Sequence, residues 1–217
     1  MGVLSSSVSR KFAMALSGFF LIIFLTQHLI INVTSIFSED VFNFLSHFMG
    51  TNPLVQFLLQ PILMLGVLFH FLMGFFLEIK NSRARVQNYT KNGSGEGSSW
   101  ASRNMIISGA VILSFLCIHF YDFWLPEMDY KYWSKIPTIE DRYFGELQHK
   151  FHGNIIMVIS YCFSFLALGL HLVHGFSSSL QSIGVGSQRF KIIKKISLIY
   201  AFIVPLIFTI IAIYHYL

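Results

Sequence analysis

Apolar residues fall in five long runs, at about residues 12–37, 53–79, 104–125, 147–180 and 192–216, with polar stretches between them. Crossing a hydrocarbon layer of about 30 Å at about 1.5 Å per residue takes about 20 mostly apolar residues, and each run is long enough. Lipid offers no water to a bare peptide group, so each run predicts a helix whose backbone hydrogen bonds close within it. The fourth run is longer than needed and polar at its far end, which predicts a helix reaching beyond the lipid. The third merges into Tyr121-Asp122-Phe123-Trp124-Leu125-Pro126, where the acid and the proline mark the expected exit. The fold expected is an all-α integral membrane protein, a single domain over residues 1–217 with a bundle of five transmembrane helices.

Inside the first run a figure appears that returns in the third. Ser17-Gly18-Phe19-Phe20-Leu21-Ile22-Ile23-Phe24-Leu25-Thr26-Gln27-His28 aligns with Ser108-Gly109-Ala110-Val111-Ile112-Leu113-Ser114-Phe115-Leu116-Cys117-Ile118-His119. The match places Met14 on Met105, Ser17 on Ser108, Gly18 on Gly109 and His28 on His119. Both copies carry one histidine at the same depth of an apolar helix.

Composition strengthens the membrane reading. The chain is 54% hydrophobic and 12% charged, where a soluble domain carries about 25% charged residues. Cys117 and Cys162 both lie in apolar runs, and no CxxC or CxxCH pattern suggests a disulfide, a metal site or covalent haem. The start matches a short myristoylation pattern and resembles a signal peptide. The first run continues past His28 without a small-residue cleavage site, so it is expected to be retained. The sequon Asn32-Val33-Thr34 ends that same run and carries no argument.

Charge orients the expected bundle. With the N-terminus inside, the inner segments hold Arg10, Lys11, Lys80, Arg83, Arg85, Lys91, Arg103, Arg189, Lys191, Lys194 and Lys195. The outer segments hold Lys131, Lys135, Arg142 and Lys150 with most of the acids. The positive-inside rule counts Lys and Arg, and it places the N-terminus in the cytoplasm and the C-terminus outside. The inner loop 88–99 is Gly- and Ser-rich and reads as a flexible connector. The stretch 126–146 holds Tyr130, Tyr132, Trp133 and Tyr143 and reads as an interfacial cap. No segment is long and polar enough for a soluble catalytic domain, and nothing points to nucleic acid.

Of nine histidines, several fall inside the apolar runs, where ionisable groups are costly and mark function by default. Measured from the inner charges at about 1.5 Å per residue, His28 and His119 lie level in the outer half. His70 and His174 lie level in the inner half. Each pair could clamp an iron from opposite sides, because haem iron takes imidazole as an axial ligand. Such bis-histidine ligation closes both axial positions and suits electron transfer. His171 lies one turn from His174 and competes with it as the fourth ligand, or else serves as a neighbour of the haem. Ser17 and Ser108 reach the inner haem's level, or bond back to their own helices. Arg10, Lys11, Arg83 and Arg103 are placed for haem propionates or for a partner protein. His47, His149 and His152 lie at the outer end, and His215 carries no expectation.

Taken together, several short stretches resemble one family. They are residues 9–18, Ser46-His47-Phe48-Met49-Gly50-Thr51-Asn52-Pro53, Phe69-His70-Phe71, Glu78-Ile79-Lys80-Asn81, Ser102-Arg103-Asn104-Met105, His119-Phe120-Tyr121-Asp122-Phe123-Trp124 and His171-Leu172-Val173-His174-Gly175-Phe176. The chain resembles the di-haem cytochrome b membrane anchor of succinate dehydrogenases and fumarate reductases, in its Bacteroidota form. That resemblance implies two b haems, an outer one on His28 and His119 and an inner one on His70 and His174. It implies a flavoprotein subunit holding FAD and an iron–sulfur subunit on the cytoplasmic side of a bacterial inner membrane. Electrons would pass from succinate through the haems to menaquinone. An outer quinone site would draw on His47, Thr51 and Asn52, and an inner one on Arg83, Trp100 or Arg103. Certain fumarate reductases carry a glutamate two residues before the last ligand. Leu172 stands there, which favours succinate oxidation. Three further readings compete: the cytochrome b anchor of a hydrogenase or formate dehydrogenase, a haem-free, histidine-relay transporter, and a haem-free structural anchor.

Overall fold

A computed structural model describes residues 6–84, 104–134, 139–184 and 187–217. The expectations for Arg85, Lys91, Arg103, Trp100, Lys135 and the loop 88–99 lie outside the described residues. Helices make up the fold, with no strand among the described residues. Five are long and apolar enough to cross a membrane: Val8–Phe37, Val55–Lys80, Met105–Trp133, Ile155–Ser182 and Lys191–Tyr216. The chain is a helical, multi-pass membrane protein.

Helix α1, Ser7–Phe37, stops at Ser38, whose hydroxyl accepts from Val41 N and caps α2, Glu39–Thr51. Glu39 and Asp40 occupy the first turn of α2, where carboxylates complement the helix dipole. After a π-helical turn, Val55–Leu59, comes α3, Gln60–Ala84. Helix α4, Met105–His119, does not end at Pro126 as the sequence suggests. It runs on through a π-helical turn, Phe120–Trp124, the short α5, Leu125–Met128, and a second π turn, Asp129–Trp133. Pro126 sits in the first turn of α5, inside this continuous helical run.

The fourth apolar run also divides differently. It splits at Gly153, which has φ +68°, into α6, Arg142–Phe151, and α7, Ile155–Ser182. Asn154 restarts the helix by accepting from Met157 N at 3.1 Å. The last helix is α8, Ser187–Tyr216, with Pro205 in its interior. A Cβ on Gly169 of α7 would meet Ala201 O at 3.1 Å and the Pro205 ring at 3.2 Å. Ala201 O is the carbonyl that Pro205 cannot satisfy, so a glycine makes room where the two helices press together.

Helices α2 and α6 lie across one end of the bundle, here the cap end. The opposite, basic end holds Arg10, Lys11, Lys80, Lys191, Lys194 and Lys195. The main core lies towards the cap, built from Leu29, Phe42, Leu147, Phe151, Tyr161, Phe165, Phe208 and Ile211. A smaller cluster of Ile22, Leu172 and Ala201 lies deeper. From Gln60 to Lys80, α3 has no buried residue, and Leu65, Leu68 and Leu72 are more than half exposed.

Candidate functional site

Helices α1 and α4 bring His28 and His119 together, with ring centroids 5.8 Å apart and planes at 87°. This is the level pair expected from depth. Aromatic rings wrap it: Phe24 stacks on His28 at 5.6 Å, and Phe208 lies at 5.8 Å. Phe115, Phe123 and Tyr161 stand 5.6, 5.2 and 6.3 Å from His119. Polar partners are few. The Asn32 amide nitrogen lies 3.4 Å from each ring nitrogen of His28, and His119 Nδ1 is buried without a partner.

The second pair differs from the expectation. The ring facing His70 of α3 is that of His171 on α7, at 6.3 Å with planes at 67°. His174, one turn further towards the basic end, is half-buried and does not supply the facing ring. Depth alone favours His174, but rotation about the helix axis decides which ring points inward, and depth counting carries no rotation.

Each member of this second pair is held by a serine of the repeated figure. Ser17 Oγ lies 3.0 Å from His70 Nδ1 and donates to Met14 O at 2.8 Å. Ser108 Oγ lies 3.2 Å from His171 Nδ1 and donates to Met105 O at 3.0 Å. A hydroxyl has one proton, and here the backbone carbonyl takes it. Each imidazole therefore donates its Nδ1–H to the serine, an assignment made from the hydrogen-bond network. The Nε2 lone pairs are left for another partner. The glycines after these serines let the rings approach: a Cβ on Gly18 would lie 3.4 Å from His70 Cε1, and on Gly109 3.6 Å from His171 Cε1.

Ser17 and His28 lie 11 residues apart, about three turns and about 16 Å along α1, on one helix face. Ser108 and His119 repeat that spacing on α4. The histidine pairs are thus stacked along the bundle axis. All four rings keep some accessible surface although they lie deep in the bundle, so the helices do not close fully around them. No group of three or more His, Cys, Asp or Glu side chains that could hold a bare metal ion occurs among the described residues.

The other expected site residues are dispersed. Lys11 and Arg83 are exposed at the basic end, with Arg10 half-buried. Thr51 donates to its own helix at His47 O, 2.7 Å, and Asn52 Oδ1 accepts from Leu54 N at 2.9 Å. His47 is half-buried, 6.4 Å from Tyr143, with Nδ1 unpartnered. His215, of which the sequence raises no expectation, is 3% exposed and bonds Ser35 through Nε2 at 2.9 Å.

No family model, curated protein or solved structure matches the chain.

Proposed function

We propose that the chain is a membrane cytochrome b that carries electrons through two bis-histidine b haems. His28 with His119 would hold one haem, and His70 with His171 the other. One observation carries this reading: two facing imidazole pairs from four different helices, stacked along one bundle. Imidazole nitrogens bind a first-row metal at about 2 Å, so two imidazoles sharing one iron would have ring centroids about 6 Å apart. The observed 5.8 and 6.3 Å fit that spacing. The serine-held Nδ1–H groups of His70 and His171 fit it too, because a metal-bound histidine commonly donates its other ring N–H.

Haem b supplies reversible one-electron chemistry when bound. The chain's own residues do the rest. Each histidine pair would supply two imidazoles to hold one haem iron. Ser17 and Ser108 accept from Nδ1–H of His70 and His171 and so hold the tautomer with a free Nε2 lone pair. The Phe24, Phe115, Phe123 and Phe208 shell keeps water from the cap-end pair. The common repeat of α1 and α4 sets the two sites about 16 Å apart along the axis.

Within this reading, the resemblance favours the anchor subunit of a succinate:menaquinone oxidoreductase. The exposed Lys11, Lys80, Arg83, Lys191, Lys194 and Lys195 suit an acidic iron–sulfur partner on the cytoplasmic side, with an FAD-bearing subunit beyond it. With His171 as ligand, the position two residues earlier is Gly169. Like Leu172 it carries no carboxyl group, which keeps succinate oxidation the favoured direction.

The test is the reduced-minus-oxidised spectrum of the purified chain with haem quantitation. Two b haems per chain are expected. His28→Ala and His119→Ala should remove one, and His70→Ala and His171→Ala the other, while His174→Ala keeps both. A chain free of b-type absorbance would end the proposal.

A further inference from the structure

We propose that Asp122 places a fixed negative charge beside the His28–His119 site and lowers that site's affinity for an electron. The inference rests on the haem reading of that pair. By its sequence Asp122 marks a helix exit, yet in the fold it is 9% exposed and the one acidic side chain in the buried set among the described residues. It lies three residues beyond His119, on the π-helical turn that continues α4.

Its contacts connect it to the pair. Tyr161 OH donates to Asp122 Oδ2 at 3.3 Å, and the Tyr161 ring stands 6.3 Å from the His119 ring. Tyr161 is 3% exposed, so the side chain that touches both carboxylate and imidazole is shielded from water. On the other side, Lys150 Nζ lies 3.4 Å from Asp122 Oδ1.

The sign of the field follows from burial. The Asp122 side chain is 10% exposed and that of Lys150 33%. Water screens the ammonium more than the carboxylate, because Coulomb energy scales inversely with the local dielectric constant. The net potential towards His119 is therefore negative. A purely structural pin is a poor account of this group. A carboxylate has about four acceptor sites, and two long contacts leave it undersatisfied in an apolar wall. An uncharged residue there would hold the three helices at least as well.

A negative charge near an iron favours the ferric form. No bond and no proton changes hands; the charge acts through space on the electron delivered to the site. Its consequence is a cap-end site that passes its electron on to an acceptor more readily than it would without Asp122.

The test is a spectroscopic redox titration of the haem-loaded full chain, with dithionite as reductant and ferricyanide as oxidant. Asp122→Asn is expected to raise the midpoint of the haem that His28→Ala removes and leave the other unmoved. Lys150→Met should shift the same midpoint downward, and so should Tyr161→Phe, which removes the hydroxyl that spreads the charge. Glu146→Gln, a surface carboxylate 50% exposed, should move neither. Opposite signs for the Asp122 and Lys150 variants separate a field from a structural pin. An unmoved midpoint in Asp122→Asn, or equal shifts of both haems, overturns the inference. If Asp122→Asn does not fold, an unmoved midpoint in both Lys150→Met and Tyr161→Phe overturns it equally. A wild-type chain that binds no haem removes the reading beneath it, a result visible before any titration.

Discussion

Ser17 and Ser108 each join two roles the sequence leaves as alternatives. Each bonds back to its own helix and, because its proton is used there, accepts from a histidine on another helix. Replacing Ser17 or Ser108 with Ala leaves a buried imidazole N–H unpaired, at a cost of about 1–3 kcal/mol. With haem at the His70–His171 pair, loss of the supporting acceptor is expected to weaken its retention about 10–100-fold. The haem-to-protein ratio, titrated after purification, measures this, and Ser17→Thr, which keeps a hydroxyl, should restore much of it. Gly18 is less tolerant than Gly109. A Cβ on Gly18 would come within 3.0 Å of Ser179 Oγ as well as close to His70, whereas on Gly109 it meets only ordinary contacts.

Helix α6 is tied to the segment that follows α4 by one polar cluster, and to α2 by a hydrogen bond and ring packing. Glu127 pairs with Lys131 at 2.7 Å and with Arg142, whose guanidinium also lies 3.9 Å over the Tyr130 ring and 4.4 Å over the Tyr143 ring. Asn43 Oδ1 receives Phe144 N at 2.8 Å and ties α2 to α6. The hydrogen bonds to Glu127 and Glu146 raise the Arg142 pKa despite the burial that disfavours its charge. Arg142→Ala removes one side of a pair whose side chains are 9% and 15% exposed. Breaking such a pair is expected to cost about 3 kcal/mol, read as a lower unfolding temperature in detergent. The Tyr143 phenol is pushed up to about 12, first by burial and then by Glu127. A raised folded-state pKa contributes stability that is full below the unfolded value of about 10 and is lost as pH rises towards about 12. An alkaline melting series should show that loss, and Tyr143→Phe should flatten it. At the other contact between elements, Gly169→Val would drive side-chain atoms into Ala201 O and Pro205. It should separate α7 from α8 and lower yield and melting temperature together.

For the molecule as a whole, the five apolar helices carry their unsatisfied apolar surface outward. Ile156 is 75% exposed and Leu65 66%, as lipid contact requires. With the N-terminus inside, a periplasm-active reporter fused after Leu217 is expected to be active and one fused within 85–103 inactive; the opposite result would reverse the proposed orientation. The core is dense towards the cap and thin around α3, so α3 should exchange backbone amides before α7 and α8 when the detergent-solubilised chain is followed by hydrogen exchange.

Span number and helical class were legible from residue order. Hydropathy and rise per residue are one-dimensional quantities, and a long, continuous apolar run satisfies its backbone in lipid by closing its hydrogen bonds within a helix. The repeat likewise announced Ser17 with Ser108 and His28 with His119 as equivalents. Contacts between helices are different, because they depend on rotation about each axis and on local breaks. That the ring facing His70 belongs to His171 and not to His174 follows from the rotation of α7 about its axis. The π-helical turn after His119 carried the chain past its expected exit and turned Asp122 inward, onto Tyr161. Such a turn has no pattern in residue order, since the same residues suit an unbroken α-helix.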